Sequence, residues 1–303
     1  MHHQPTFFYP DTPDVPLPER HRFPAGKYRM LLNHVREDGI LGQAKLFPSP
    51  KADRDLLLAA HDEDYIDSVL EGTWSKDVER RIGIPWSPIL VQRTLAAVGG
   101  SLAAARAALE TGVSGQLAGG THHAHRGFGS GFCVFNDLAV TALTLTAEQR
   151  VGKVAILDTD VHQGDGNAAV LSPHPDMFVA SVHGEKNFPF RKMPSDLDIG
   201  LSDDTTDQAY LTAVERALAA VIRFQPDILL YLSGADPLAS DSLGRLKISF
   251  EGLKARDRLV FALARSESLP VCLVLGGGYA KPISDTVSAY ANTLHALREV
   301  YGF

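Results

Sequence analysis

Cysteine is scarce: the 303 residues contain two, Cys133 and Cys272, both in apolar surroundings. That excludes a disulfide framework and a thiolate metal cluster, and it predicts a reduced, cytoplasmic setting. Long apolar runs are missing as well. No stretch reaches the length of a membrane span, and the start, Met-His-His-Gln-Pro-Thr-Phe-Phe, lacks the positive-then-apolar order of a signal peptide, so no membrane partner is expected. Positive charge is in deficit, with 29 Lys and Arg against 36 Asp and Glu, a formal net charge of −7. This predicts no direct nucleic-acid partner. His2 and His3 read as a solvated terminus rather than a ligand set. There is no internal repeat, low-complexity tract or linker, so residues 1–303 are read as one domain.

What the chain has is apolar residues, 45% of the total, enough for a sizeable core. Residues 5–25 are rich in proline and charge, which predicts a loop. Helical patterns follow at 26–38 and from Ser87-Pro88 to about Glu110. Then short apolar runs of strand length recur at 116–119, 154–157, 177–182, 228–232 and 271–275. Helical patterns lie between and after them, at 136–148, 208–223, 250–264 and 284–300. Strands alternating with helices need crossover connections, which predicts an α/β fold of three αβα layers around a central, mostly parallel sheet. In such folds ligands sit at the carboxyl ends of the strands.

Those ends are where the reactive residues fall. The first run leads to His122-His123-Ala-His125, and the third ends in Ser181-Val-His183. The fourth leads to Ser-Gly-Ala-Asp236, the fifth to Gly276-Gly-Gly-Tyr279. The second run, Val154-Ala-Ile-Leu, continues as Asp158-Thr-Asp160-Val-His162-Gln-Gly-Asp165-Gly. Any one aspartate there is accounted for by a turn that caps a helix. The regular spacing of Asp158, Asp160 and His162 is not, because alternate residues of an extended chain share a face.

Asp160, His162 and Asp236 offer two carboxylates and an imidazole, a set that suits Zn²⁺ and admits Fe²⁺, Co²⁺ or Mn²⁺. His122 and His123 offer a general base and an acid or electrostatic partner. Each needs a carboxylate behind its far nitrogen, and Asp158 and Asp165 are the two left over. Tyr279, aimed by the glycines before it, could donate its O–H to an oxygen that gains charge when water attacks an acyl group. His21, His61, His125 and His183 read as structural or loop-borne.

At these residues the chain resembles the histone deacetylase family, within the arginase-deacetylase fold. The matching text is Thr-His122-His123-Ala, Ser130-Gly-Phe-Cys-Val-Phe-Asn-Asp137, Asp158-Thr-Asp160-Val-His162-Gln-Gly-Asp165-Gly, Ser181-Val-His183, Gly234-Ala-Asp236, Asp241 and Leu275-Gly-Gly-Gly-Tyr279. The loop Pro-Leu-Pro-Glu-Arg-His-Arg-Phe-Pro and the stretch Asp236-Pro-Leu-Ala-Ser-Asp241-Ser-Leu-Gly-Arg-Leu further resemble class IV deacetylases and their bacterial relatives. The resemblance implies that Asp160, His162 and Asp236 hold zinc. It makes His123, with Asp165, the general base, His122, with Asp158, its partner, and Tyr279 the carbonyl polariser. It makes Phe132 one wall of an acyl-lysine tunnel, the Gly131 carbonyl an acceptor there, and Phe188 the opposite wall, with Phe190 as the alternative. It also implies a structural K⁺ held by main-chain oxygens of Asp158, Asp160 and His162, by Ser181 and by Val182.

Two departures touch no catalytic group: Gln163 stands where many members have a second histidine, and Gly120-Thr121 replaces the usual lead-in. Position 234 is Gly where a dinuclear manganese site would have another Asp, which argues for one metal and against ureohydrolysis. The expected activity is zinc-dependent hydrolysis of an acyl-lysine side chain in a protein or peptide. Two alternatives stand beside it: hydrolysis of a small acylated amine such as an acetylpolyamine, and a metal-holding acyl-lysine binder without turnover.

Overall fold

A computed structural model describes residues 4–303, so the reading of His2 and His3 lies outside the described residues. The strands are β1 (Thr6–Tyr9), β2 (Lys45–Pro48), β3 (Val113–Gln116), β4 (Val154–Asp158), β5 (Met177–Gly184), β6 (Leu197–Leu201), β7 (Ile228–Gly234) and β8 (Val271–Gly276). The helices are α1 (Lys27–Glu37), α2 (Arg54–Leu57), α3 (Glu63–Glu71), α4 (Lys76–Ile82), α5 (Pro88–Thr111), α6 (Asp137–Ala147), α7 (Asp165–Leu171), α8 (Asp207–Phe224), α9 (Phe250–Ser266) and α10 (Ile283–Tyr301).

All eight strands join one sheet in the order β2-β1-β3-β8-β7-β4-β5-β6, and every neighbouring pair is parallel. The central strands are apolar on both faces because both are covered. Ala155, Leu157, Leu229, Tyr231, Leu273 and Leu275 pack toward α1, α8, α9 and α10. Their alternates Val154, Ile156, Leu230, Leu232, Cys272 and Val274 pack toward α3, α5, α6 and α7. This two-residue alternation between two apolar layers is what a strand inside a doubly covered sheet requires.

Helix starts are set by side chains that take up free backbone N–H groups. Ser87 Oγ accepts from Leu90 N at 3.1 Å ahead of Pro88, Asn136 Oδ1 from Ala139 N at 2.9 Å, and Ser249 Oγ from Gly252 N at 3.0 Å.

The structure departs from the sequence expectations at the sheet margins. Residues 5–25 are not all loop, since Thr6–Tyr9 forms β1 between β2 and β3. Strands β2 and β6 fall in stretches too short and too exposed to show a strand signature. The first expected run is displaced: β3 ends at Gln116, and Leu117–Gly119 already lies past the strand. Residues 80–85 give no regular pattern in the sequence, yet Arg80 and Arg81 lie in the last turn of α4.

Candidate active site

Chain order leaves a gap between β3 and β4 that β8 and β7 fill later, so β3, β8, β7, β4 and β5 deliver their carboxyl ends to one crevice. Beyond β4, the amide of Asp160 donates to Asp158 Oδ1 at 3.1 Å and the amide of His162 to Asp160 Oδ1 at 2.9 Å, so the chain folds over its own carboxylates. Beyond β7, Asp236 reaches across to accept from Val161 N at 2.9 Å.

The ligand atoms of Asp160, His162 and Asp236 consequently lie within 4.8 Å of one another, all three buried or nearly so. His162 Nδ1 is 2.9 Å from Asp160 Oδ1 and 3.1 Å from Asp236 Oδ2. Ligands about 2.0–2.2 Å from a tetrahedral ion stand roughly 3.3 Å apart, so this spacing fits one divalent cation. The electrostatics fit too. Burial and the neighbouring Asp160 raise the pKa of Asp236, whereas His122 and His162 hold Asp160 low against its burial. Two carboxylates forced together away from water are what a divalent cation would relieve.

The histidine pair sits against this group. His122 Nδ1 is 2.7 Å from Asp158 Oδ2 and His123 Nδ1 is 2.6 Å from Asp165 Oδ1, with all four side chains buried. If each Nδ1 donates to its carboxylate, each Nε2 is left free for the cavity. Burial pushes His123 down to about 3, and the charge of His122 adds to this against the pull of Asp165. Burial acts on His122 as well, but Asp158 and Asp160 outweigh it and raise His122 to about 9. The two rings, 4.1 Å apart, thus favour opposite protonation states.

Tyr279 follows Gly277 and Gly278, both at positive φ. A side chain at 277 would run into the Asp236 carboxylate, so glycine is required there. The Tyr279 ring lies 6.5 Å from His162 and 5.8 Å from Phe132. Burial first, then Asp160 and Asp236, push its phenol well above its usual range, which keeps the O–H a donor.

Phe132 takes a left-handed conformation, φ 69°, held by its amide bond to Ile82 O at 2.7 Å. Such a backbone costs a non-glycine residue on the order of 1 kcal/mol. Gly131 beside it leaves no room for a side chain, because a Cβ would stand 2.6 Å from the His123 ring. Phe188 meets His123 edge-on at 4.9 Å, while Phe190 is 87% exposed farther out, which favours Phe188 over Phe190 as the inner wall. Of the residues expected around K⁺, Ser181 stands opposite Asp158 in the β4–β5 register, and its hydroxyl is 3.0 Å from His183 Nδ1.

Several residues do more than their sequence showed. His125 Nε2 is 3.1 Å from Asp165 Oδ2, on the same carboxylate that holds His123. Asp241 accepts the amide of Tyr279 at 2.6 Å and those of Leu243 and Gly244 at 2.8 and 2.9 Å. Lys27, buried on α1, donates to Gly277 O and Gly278 O and lies 4.8 Å over the Tyr279 ring. Asp137 takes the amides of Gly120 and Thr121 at 3.0 and 2.8 Å and so sets the turn into His122. Gln163 donates to Met193 O at 2.7 Å and to Asp198 at 2.6 Å, bracing the segment that carries Phe188. The Pro-rich loop packs on Phe132, with Phe23 5.5 Å and His21 6.0 Å from its ring. None of these links leaves a local spacing signal, since each joins segments remote in sequence or depends on a side chain's orientation.

A parallel αβα sheet thus carries, at its carboxyl edge, a buried carboxylate–imidazole group that could hold a metal ion and two histidine–aspartate pairs beside it. The model of the histone deacetylase domain matches residues 21–295, and the chain belongs to the histone deacetylase family. It is 41% identical over 298 residues to an uncharacterized protein of Picosynechococcus, covering 98% of this chain and 99% of that one. It is 30% identical over 271 residues to histone deacetylase 2 of Arabidopsis thaliana, covering 86% of this chain and 70% of the relative. It is 31% identical over 257 residues to the acetoin utilization protein AcuC of Bacillus subtilis, covering 75% and 64%. No helix among the described residues is long and apolar enough to cross a membrane.

Proposed function

We propose that the protein hydrolyses the amide of acyl-lysine side chains in proteins or peptides, with a single zinc ion held by Asp160, His162 and Asp236. The observation that supports this most is convergence. The candidate ligand His162 has the His123 ring 6.0 Å away and the Tyr279 ring 6.5 Å away, at the foot of a passage between Phe132 and Phe188.

A divalent ion there would supply Lewis acidity to the acyl carbonyl and acidify water. His123 Nε2, kept neutral by burial, takes the proton of the attacking water while Asp165 holds Nδ1–H. Tyr279 donates its O–H to the carbonyl oxygen as negative charge gathers there. His122, charged and fixed by Asp158, stabilises that charge, and an imidazolium returns the proton to the leaving lysine nitrogen. Gly131 O and the Phe132 ring line the neutral stem of the substrate. Asp158, Ser181 and Val182, with main-chain oxygens of Asp160 and His162, would hold a structural K⁺.

One metal rather than two is supported at Gly234, where an added Cβ would lie within 2.9 Å of the Asp160 amide, leaving no room for a further carboxylate. The likeness to class IV deacetylases rests on two stretches, Asp236 to Leu246 and the Pro-rich loop, which packs His21 and Phe23 on Phe132. Two free, buried cysteines suit a reducing compartment.

The test is turnover of an acetyl-lysine peptide with and without chelator, beside His123→Ala and Tyr279→Phe. Each variant should retain metal and lose most turnover, a general acid–base contribution of about 10²–10⁴-fold. Full activity in either, or activity untouched by chelation, would refute the reading.

A further inference from the structure

The mouth of the passage is charged opposite to the chain as a whole. The cleft of about 420 Å³ that runs between Phe132 and Phe188 is also lined by Arg22, Arg80, Arg81, Lys186 and Arg245, and by no Asp or Glu. The adjoining cleft, which also reaches Tyr279, adds Arg20 and Lys281 and again has no carboxylate in its wall. In a protein of formal net charge −7, seven cations lining two adjoining clefts that both reach Tyr279 are a local feature.

Part of this charge is balanced from outside the walls. Arg80 pairs with Asp77, while Arg245 and Lys186 share one carboxylate, Asp203, at 3.1 and 3.8 Å. Among the described residues Arg22 and Arg81 stand in no ion pair. Arg81 instead places its guanidinium over the Phe128 ring, 4.3 Å from its centre. The cations are also tied to the passage. Arg81 O and Ile82 O accept the amides of Gly131 and Phe132, so the end of α4 and the tunnel wall are one unit. Phe190, next to Phe188 at 6.3 Å and 87% exposed, offers an apolar surface on the same rim.

Acylation removes the charge of a lysine, so the stem that enters between the two phenylalanines is neutral and gives the rim nothing to read. What the rim meets is whatever flanks that lysine. We propose that the preferred substrate is an acyl-lysine flanked by acidic residues, whose carboxylates are bound by Arg22 and Arg81 and steered by the remaining rim cations. The proposal rests on the deacylase reading above and names its substrate class. It also sets the cationic alternative in order, because the free ammonium groups of an acylated polyamine would face like charges.

The experiment compares kcat/KM for three acetyl-lysine peptides of equal length, with Asp/Glu, Ser/Ala or Lys/Arg flanks, at low salt and at 0.5 M NaCl. An acetylated polyamine and a small acetylated amine bearing carboxylates serve as further arms. We expect the acidic peptide to exceed the neutral one by about tenfold at low salt, with the ratio shrinking as salt rises, since exposed charges are screened beyond about 10 Å at 0.1 M. The double variant Arg22→Gln/Arg81→Gln should bring the acidic-to-neutral ratio close to one. Fluorescence anisotropy of the labelled peptides should follow the same order. Equal or faster turnover of the basic peptide or the polyamine would overturn the proposal, as would a ratio unmoved by salt and by the variant. A carboxylated small amine outrunning every peptide would overturn the peptide while leaving the anionic chemistry. Turnover of none of the acylated substrates would instead overturn the deacylase reading itself.

Discussion

His125 and His123 share one carboxylate: Asp165 Oδ1 lies 2.6 Å from His123 Nδ1 and Asp165 Oδ2 lies 3.1 Å from His125 Nε2. The His125 ring is itself clamped against Phe128, 4.4 Å away and nearly parallel. Burial tends to raise Asp165, but hydrogen bonds to both histidines hold it below the usual carboxylate range. Removing one donor makes the carboxylate a stronger acceptor for the other, so the proton on His123 is held more tightly. For His125→Ala we therefore expect kcat to fall about tenfold with KM little changed, the scale of losing a group that orients a catalytic side chain. The acid limb of kcat/KM should move to higher pH. His125→Gln, which keeps an N–H donor, should restore much of the rate. A pH profile that stays put while kcat falls would mean that His125 serves folding alone.

The carboxylates of Asp160 and Asp236 lead to a second expectation. Asp236 is fully buried and raised by burial and by Asp160, so the metal-free site is held together against repulsion. Metal should therefore stabilise the fold as well as the reaction. Zinc at 100 times its dissociation constant adds about 2.7 kcal/mol by mass action, visible as a rise in Tm that chelator removes. Asp236→Asn should abolish both the rise and zinc uptake measured by elemental analysis. A variant that still gains Tm with zinc would place the ion elsewhere.

A third expectation concerns acid stability, and His61 carries it. Asn136 N donates to His61 Nε2 at 2.9 Å, so Nδ1 must hold the ring proton, which it gives to His125 O at 3.0 Å. Both nitrogens are satisfied only in the neutral ring, and burial lowers its pKa to about 4. The ordinary value is about 6.5. The sign follows from proton uptake: between these two values the unfolded chain binds a proton that the folded chain refuses. Stability is thus full above about pH 6.5, falls as pH drops toward 4, and levels off below it. The span corresponds to about 3 kcal/mol from this residue. Urea unfolding of wild type and His61→Gln across pH 4–7.5 checks it: the variant should be weaker at pH 7.5 and show a shallower decline. Parallel declines would remove His61 from the account.

The sheet and its reactive edge were legible because their signals are local. Five apolar runs, each followed by Asp, His, Ser or Gly, are enough to place a crevice, and all pairings prove parallel. The margins were not legible. Lys45-Leu-Phe-Pro is half charged or proline and mostly exposed, and it becomes a strand because Thr6–Tyr9 offers it a parallel edge. Side chains whose use depends on orientation were also hidden. His125 reads like any loop histidine until Phe128 and Asp165 are seen on either side of it. Asp241 on the Tyr279 amide, Asp137 on the Thr121 amide and Lys27 on the Gly278 carbonyl act across 38, 16 and 251 residues, distances no periodicity spans.

On the proposed reading, the acyl group would enter a limited space beside His122, His123 and Tyr279. Beside His122, His123 and Tyr279 lies a cavity of about 50 Å³, bordered by Leu90, Thr94 and Ala97 of α5. At roughly 10–15 Å³ per water on this measure, the space holds a few waters and suits a short acyl chain better than a long one. A longer chain would have to displace α5, and overpacking a closed interior costs about 1–3 kcal/mol. With 1.4 kcal/mol per factor of ten, acetyl-lysine should exceed octanoyl-lysine in kcat/KM by about ten- to a hundredfold. Leu90, 3% exposed, is the side chain to shorten. Leu90→Ala should narrow the preference while lowering stability by about 2–5 kcal/mol, so the ratio of the two substrates, rather than either rate, is the quantity to measure. An octanoyl peptide cleaved as fast as the acetyl one by the wild-type protein would show that the acyl chain leaves by another path.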